Sequence, residues 1–316
     1  MVPAMDALAV ILDSPRHLAL QRLALSPAAE TDAVVAVSWS GISTGTERLL
    51  WSGRMPPFPG MGYPLVPGYE SVGTVIQADA AGTVREGQAV FVPGARCFGP
   101  VRGLFGGAAS HLIAPAARLV PVDAALGDQA CLLALAATAY RALGGLRPGA
   151  TPLIVGHGVL GRLLARLTQA AGAQPTVWET DPARTTGDHG YAVLAPQDDS
   201  RRDYLTITDV SGNGAGLDDL IARLAPGGEI VLAGFYEASL SFAFPPAFMR
   251  EARIRISAEF RPEDLAAVTM LIDGGRLSLD GLITHRAPAA EAEDAYRTAF
   301  ADPACLKMIL DWRDAA

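Results

Sequence analysis

The run Leu153–Asp181, LIVGHGVLGRLLARLTQAAGAQPTVWETD, decides the fold. Three apolar residues lead into Gly156, Gly158 and Gly161, a GxGxxG spacing, and an amphipathic stretch follows at once. The first glycine of such a loop permits a tight turn, the second lets the backbone approach a pyrophosphate, and the third lets helix and strand pack closely. The phosphates then rest on the free N–H groups of the helix N-terminus. A second apolar run ends in Glu179, where a carboxylate accepts hydrogen bonds from both ribose hydroxyls and repels a 2′-phosphate. The reading is NAD, held by Gly156, His157, Gly158, Val159, Leu160, Gly161 and Glu179, with Thr138 in ALAATAYRAL counted among the cofactor residues. Asp181 is the rival ribose acid if the strand runs longer, and Arg184 keeps an NADP reading open. His157 is expected to face the cofactor's edge rather than to act on substrate.

Outward from this run, the chain has two rhythms. Up to about Leu135, short β-like runs such as DAVVAVSWSG, ESVGTVIQA and QAVFVPG are punctuated by Gly and Pro, which predicts a compact β-rich, barrel-like domain. Beyond it, PLIVG, PTVWE, YLTITDV and EIVLAGF alternate with helical stretches, the βαβ pattern of a parallel sheet covered on both faces. A last piece, GLITHRAPAAEAEDAYRTAF with CLKMILDW, reads as strand, helix, strand and can return to the first domain.

Composition bounds the function. The 316 residues are enough for two domains, half of them are hydrophobic, and no apolar run is long enough to span a membrane. The net charge is −8, and Lys307 is the only lysine among 25 basic residues, so no basic cluster suggests nucleic acid. Cys97, Cys131 and Cys305 lie far apart and form neither a disulfide framework nor a metal knuckle; the expectation is a cytoplasmic protein without a signal peptide.

Taken in order, SGISTGTE, PGYESVG, REGQAVFVPG, GGAASHLIAPAARLVPVD, ATAYRAL, LRPGA, the glycine loop, TDVSG, LAPGGEIVLAG and THRAPAAEAEDAYR resemble the medium-chain dehydrogenase/reductase superfamily over essentially the full chain. The resemblance implies an α/β protein with a GroES-like β-rich domain at 1–135, a Rossmann doubly wound parallel sheet at 136–270, and a segment at 271–316 that returns to the first domain. It also implies a homodimer, for which the sequence itself offers no interface. One departure is the short stretch from Asp181 to Tyr204, which predicts a trimmed edge to the parallel sheet.

Zinc-dependent members carry Cys and His ligands where this chain has others. Aligned on GTE, Thr44 stands at the Cys position, Thr46 at the proton-relaying hydroxyl and Glu47 at the acid; Tyr69 replaces the His, and Ala134 falls near the third ligand. A hydroxyl, a phenol and a methyl do not make a catalytic zinc site, so no metal is expected. The proton of an alcohol must then leave through Thr46, Ser43, Thr44, Tyr69 or Glu70, with His111 as a more distant base. Each has a plainer reading: Tyr69 as a pocket wall, Glu70 as a buried acid paired with an arginine, His111 as a strand residue.

The segment Leu49–Tyr69, LLWSGRMPPFPGMGYPLVPGY, carries Trp51, Phe58 and Tyr63 among five prolines and reads as a stiff apolar loop suited to a broad, flat ligand. Arg48 and Arg54 flank it and could pair with a carboxylate. Together with GARCFGPVRGLFGGAASHL it resembles the dehydrogenases of bacteriochlorophyll biosynthesis. That likeness implies a tetrapyrrole pigment whose ring-borne 1-hydroxyethyl group is oxidised to acetyl with NAD in a photosynthetic bacterium. A zinc-free NADPH-dependent enone or quinone reductase and a non-catalytic tetrapyrrole carrier stay open as alternatives.

Overall fold

The computed structural model describes residues 5–146 and 148–315. In chain order its elements are β1 (Asp6–Ser14), β2 (His17–Ala24), β3 (Asp32–Ile42), α1 (Thr46–Ser52), β4 (Leu65–Val66), β5 (Ser71–Gln77), β6 (Ala89–Val92), β7 (Arg102–Gly103), β8 (His111–Pro115) and β9 (Val120–Pro121). There follow α2 (Leu133–Leu143), β10 (Leu153–Val155), α3 (Val159–Ala170), β11 (Thr176–Trp178), β12 (Ala192–Leu194), β13 (Tyr204–Asp209), α4 (Leu217–Arg223), β14 (Leu224–Leu232), α5 (Phe244–Met249), β15 (Arg253–Ile256) and α6 (Pro262–Asp273). The chain closes with β16 (His285–Pro288), α7 (Ala292–Ala301) and β17 (Met308–Asp311). Two compact units result, one from the chain up to Leu133 and again from Ile283, the other from Ala134–Leu282.

In the first unit β3 is the organising strand, because its apolar, β-branched run is long enough to be paired by different partners along its length. One edge carries β5, antiparallel, while the other carries β8 opposite Asp32–Ala36 and β17 opposite Trp39–Ile42. Neighbouring strands in this sheet run β16-β17-β3-β5-β6-β9, and a second sheet runs β2-β1-β4-β7. Their apolar faces meet in one core that includes Val10, Leu12, Val35, Leu50, Leu112, Tyr296 and Leu310. Trp312 Nε1 donates to Ser40 Oγ at 2.8 Å, which fastens the returning segment to β3.

The second unit is a six-stranded parallel sheet in the order β12-β11-β10-β13-β14-β15. From β10 the chain first moves outward through β11 to β12, then crosses to β13 on the other side. That reversal makes the carboxyl end of β10 a topological switch point, the place where ligands bind in such sheets. In α3, Leu163, Leu164 and Leu167 are buried while Arg162 and Arg166 take the polar side, so the helix lies on the sheet by its apolar stripe. Between β11 and β12 and again between β12 and β13 there are only single 3-10 turns, Pro182–Arg184 and Pro196–Asp198, so the sheet keeps its edge strand and loses α-helical cover there.

Candidate active site

The glycine loop begins where β10 ends. Gly156 has φ +103°, a conformation that side-chain-bearing residues rarely adopt. A Cβ on Gly161 would lie 1.8 Å from the Gly156 carbonyl oxygen, so this glycine is demanded by helix–strand packing. Gly158 differs. It caps α3 with no side-chain cap, and a Cβ there would meet nothing within 4 Å. The space over Gly158 and the helix N-terminus is open, which is the cradle a pyrophosphate requires. Val159 and Leu160 form the first helical turn, and Thr138 donates its hydroxyl to the Ala134 carbonyl within α2.

Glu179, at the end of β11, is buried and accepts from the backbone N–H groups of His157 (3.1 Å), Thr180 (2.7 Å) and Asp181 (2.9 Å). These bonds aim the carboxylate across the glycine loop. Asp181 is otherwise engaged, accepting from Ala183 N–H at 3.0 Å and lying 3.8 Å from the Arg184 guanidinium. The His157 ring is turned inward rather than toward the loop's open side: Nδ1 lies 2.7 Å from the Arg184 carbonyl and Nε2 2.9 Å from the Tyr191 hydroxyl. Burial holds this imidazole neutral, with its pKa down at about 4.

In the first unit, the ends of β3 and β5 bring several predicted relay residues together. Tyr69 donates to Ser43 Oγ at 2.8 Å and is also hydrogen-bonded to Thr46. Burial and the neighbouring Glu70 push the phenol well above its usual range, so it stays protonated. Its ring meets Phe105 edge-on at 5.3 Å. Thr44, half-buried, stands between Ser43 and Thr46 in the chain. Beneath them Glu47 is fully buried, accepting from Ser43 N–H at 3.0 Å and from the Tyr296 hydroxyl at 2.6 Å. Burial raises its carboxyl to about 7. Glu70 is buried too, and its partner is the Lys307 ammonium rather than an arginine. His111 is set apart on β8, opposite Ala36, with Nδ1 3.1 Å from Ser110 Oγ.

The loop after α1 is tied to that helix. Tyr63 donates to the Leu50 carbonyl, Trp51 packs on Phe300 with ring centroids 5.6 Å apart, and Met55 is buried. Arg48, Arg54 and Phe58 lie on the exposed side. Sequence reasoning missed Lys307, Tyr296 and Gly41; the one signal for Lys307 was that it is the sole lysine of an arginine-rich chain.

Residues 29–124 match the alcohol dehydrogenase GroES-like domain family. Along its length the chain is 58% identical, over 313 residues, to the 2-desacetyl-2-hydroxyethyl bacteriochlorophyllide A dehydrogenase of Rhodobacter capsulatus, covering 98% of this chain and 100% of that one. The enzyme of the same name from Cereibacter sphaeroides is 57% identical over 318 residues, covering 99% and 100%. The chain belongs to the medium-chain dehydrogenase/reductase superfamily. An alcohol dehydrogenase of Escherichia coli CFT073, solved with the cofactor NADH, has the same fold with a TM-score of 0.83 at 19% identity, covering 97% of this chain and 99% of that one. As a member of the superfamily, the chain is an oxidoreductase that takes a nicotinamide cofactor, and the open cradle at Gly158 fits one. The zinc of other medium-chain dehydrogenases finds no such fit. Among the described residues no three His, Cys, Asp or Glu side chains come together to hold a metal ion, and Ser43, Tyr69 and Glu70 are bonded within the protein. Nor is any described helix long and apolar enough to cross a membrane.

Proposed function

We propose that the chain oxidises the 1-hydroxyethyl substituent of a chlorophyllide or bacteriochlorophyllide a ring to acetyl, with NAD+ as acceptor, in the cytoplasm of a photosynthetic bacterium. The observation that carries this reading is the full-length likeness to two dehydrogenases named for that substituent on that pigment. Glu179 supports NAD over NADP, since its buried carboxylate would face the adenosine ribose and would repel a 2′-phosphate. Gly156, Gly158, Gly161 and the N-terminus of α3 would hold the pyrophosphate, and Thr138, in the same unit, would join the cofactor residues.

When bound, the nicotinamide accepts the hydride that leaves the carbinol carbon. The protein's task is the proton on the oxygen. Thr46 would take that proton while passing its own to Tyr69; Tyr69, which stays protonated, would pass one to the Ser43 hydroxyl to which it donates, and Ser43 would release one to solvent. No metal is needed, because positive character at a carbon attached to a conjugated macrocycle spreads over the ring. Trp51, Phe58 and Tyr63 would meet the flat face, and Arg48 or Arg54 a propionate. We place the active form as a homodimer.

The test is to treat the purified protein with a metal chelator, add NAD+ and a hydroxyethyl-bearing pigment, and follow NADH together with the red shift of the long-wavelength band as the acetyl group conjugates. Both are expected. Stoichiometric zinc whose removal abolishes turnover would end the metal-free reading, NADPH consumption with an enone would favour a reductase, and pigment binding without NADH would favour a carrier.

A further inference from the structure

The hydroxyl relay has a charge behind it that the reaction as written does not use. Lys307 is the only lysine of the chain, yet its side chain is 1% exposed and its ammonium bonds to Glu70 Oε2, whose side chain is 0% exposed. Lysine is ordinarily a solvated surface residue, and burying an ammonium is costly unless it is paired. The fold builds the pair deliberately. Lys307 stands just before β17 and Glu70 just before β5, on opposite sides of β3, and the two side chains meet over Gly41. A Cβ on Gly41 would lie 2.3 Å from Glu70 Oε2 and 2.8 Å from Lys307 Cε, so glycine is what makes room. The other carboxylate oxygen, Glu70 Oε1, is buried with no hydrogen-bond partner among the described residues, and the next residue back is the relay phenol Tyr69.

We infer that Lys307 is a positioning residue of the alcohol-oxidation site: its ammonium pairs with the buried Glu70 carboxylate and holds it ionised behind the Ser43–Tyr69–Thr46 relay. This rests on the function proposed above. Among the described residues, the titratable groups that feel the charges of the pair are Glu47 on α1, Tyr69 just ahead of Glu70, Tyr296 on α7 and Cys131 in the 3-10 turn Ala124–Leu132. Burial pushes the Glu70 carboxyl up, and Lys307 opposes that push.

A lone lysine makes the test direct. Protein labelled with 15Nζ-lysine should give one side-chain resonance, that of an ammonium, persisting at the working pH and altered in Glu70→Gln; a neutral amine there overturns the inference. Lys307→Met should lower kcat on the order of 10²-fold, with KM for NAD+ and pigment within about threefold, and should move the kcat–pH profile to higher pH. Lys307→Arg should recover most of the loss. The double variant Lys307→Met/Glu70→Gln removes both buried charges; it should regain thermal stability while kcat stays low. Wild-type kcat and pH profile in the double variant would show that Lys307 merely neutralises a structural acid, and the inference fails. Absence of NADH from pigment with the wild-type protein sinks the substrate reading instead, while the lysine resonance still reports the charge.

Discussion

Glu47 is a buried acid whose proton affinity the fold has changed. Burial is the main cause, with nearby Glu70 adding to it, while the hydrogen bonds from Tyr296 and Ser43 N–H and the charge of Lys307 only partly oppose it. The carboxyl therefore ionises at about 7 in the folded chain against 4.5 for an ordinary glutamate. Between those values the native state keeps a proton that the unfolded chain has lost. The stabilisation from this group is thus full below about pH 4.5 and is lost as pH rises through about 7. Glu47→Gln cannot ionise, so its stability relative to wild type should improve across that window by about 3 kcal/mol, read from denaturant unfolding at both ends. A stability difference that does not change with pH would show that the acid is not perturbed. The residue type and its place in GTE were readable in the sequence. Its proton affinity was not, because Tyr296, which bonds to it, is 249 positions away.

At the scale of elements, the three loop glycines look equivalent in a motif and are not equivalent in the fold. Gly161→Ala drives a methyl into the Gly156 carbonyl and should cost about 1–3 kcal/mol of stability whether or not cofactor is present. Gly158→Ala meets open space at an unstrained φ of −73°, so its apo stability should stay within about 1 kcal/mol of wild type. Its NAD+ affinity should nonetheless fall on the order of tenfold or more, because the methyl occupies the pyrophosphate's approach. Thermal unfolding with and without NAD+ separates the two; a Gly158→Ala protein that binds as wild type would put the phosphates elsewhere. The βαβ rhythm around this loop was legible because strand alternation, glycine turns and a helical apolar stripe are local patterns. The thinning of helices beside β12 was legible as well, since too few residues separate Asp181 from Tyr204 to build them.

At the scale of the molecule, the parallel sheet ends on β15, which among the described residues pairs with β14 on one side only. Ile256 on this strand is 68% exposed, and Phe244, Phe248 and Met249 on α5 are exposed as well. Exposed apolar side chains beside an open strand edge favour association. The homodimer proposed above should therefore sediment at twice the chain mass, and Ile256→Lys should shift it toward the monomer without altering the fold; a wild-type monomer at micromolar concentration would refute it. The sequence alone determined the two rhythms of the chain, the glycine loop with the acid that follows it, and the absence of Cys and His at the family's zinc positions, since each is written in residues close together along the chain. Only the tertiary structure decided what stands near those positions. Lys307 and Glu70 are 237 residues apart and meet because β17 and β5 flank β3 at a glycine, and Tyr296 reaches Glu47 because α7 returns to the first core. A charge carries no local mark of its partner; which strands lie side by side sets that, and with it the environment in which the hydroxyls must work.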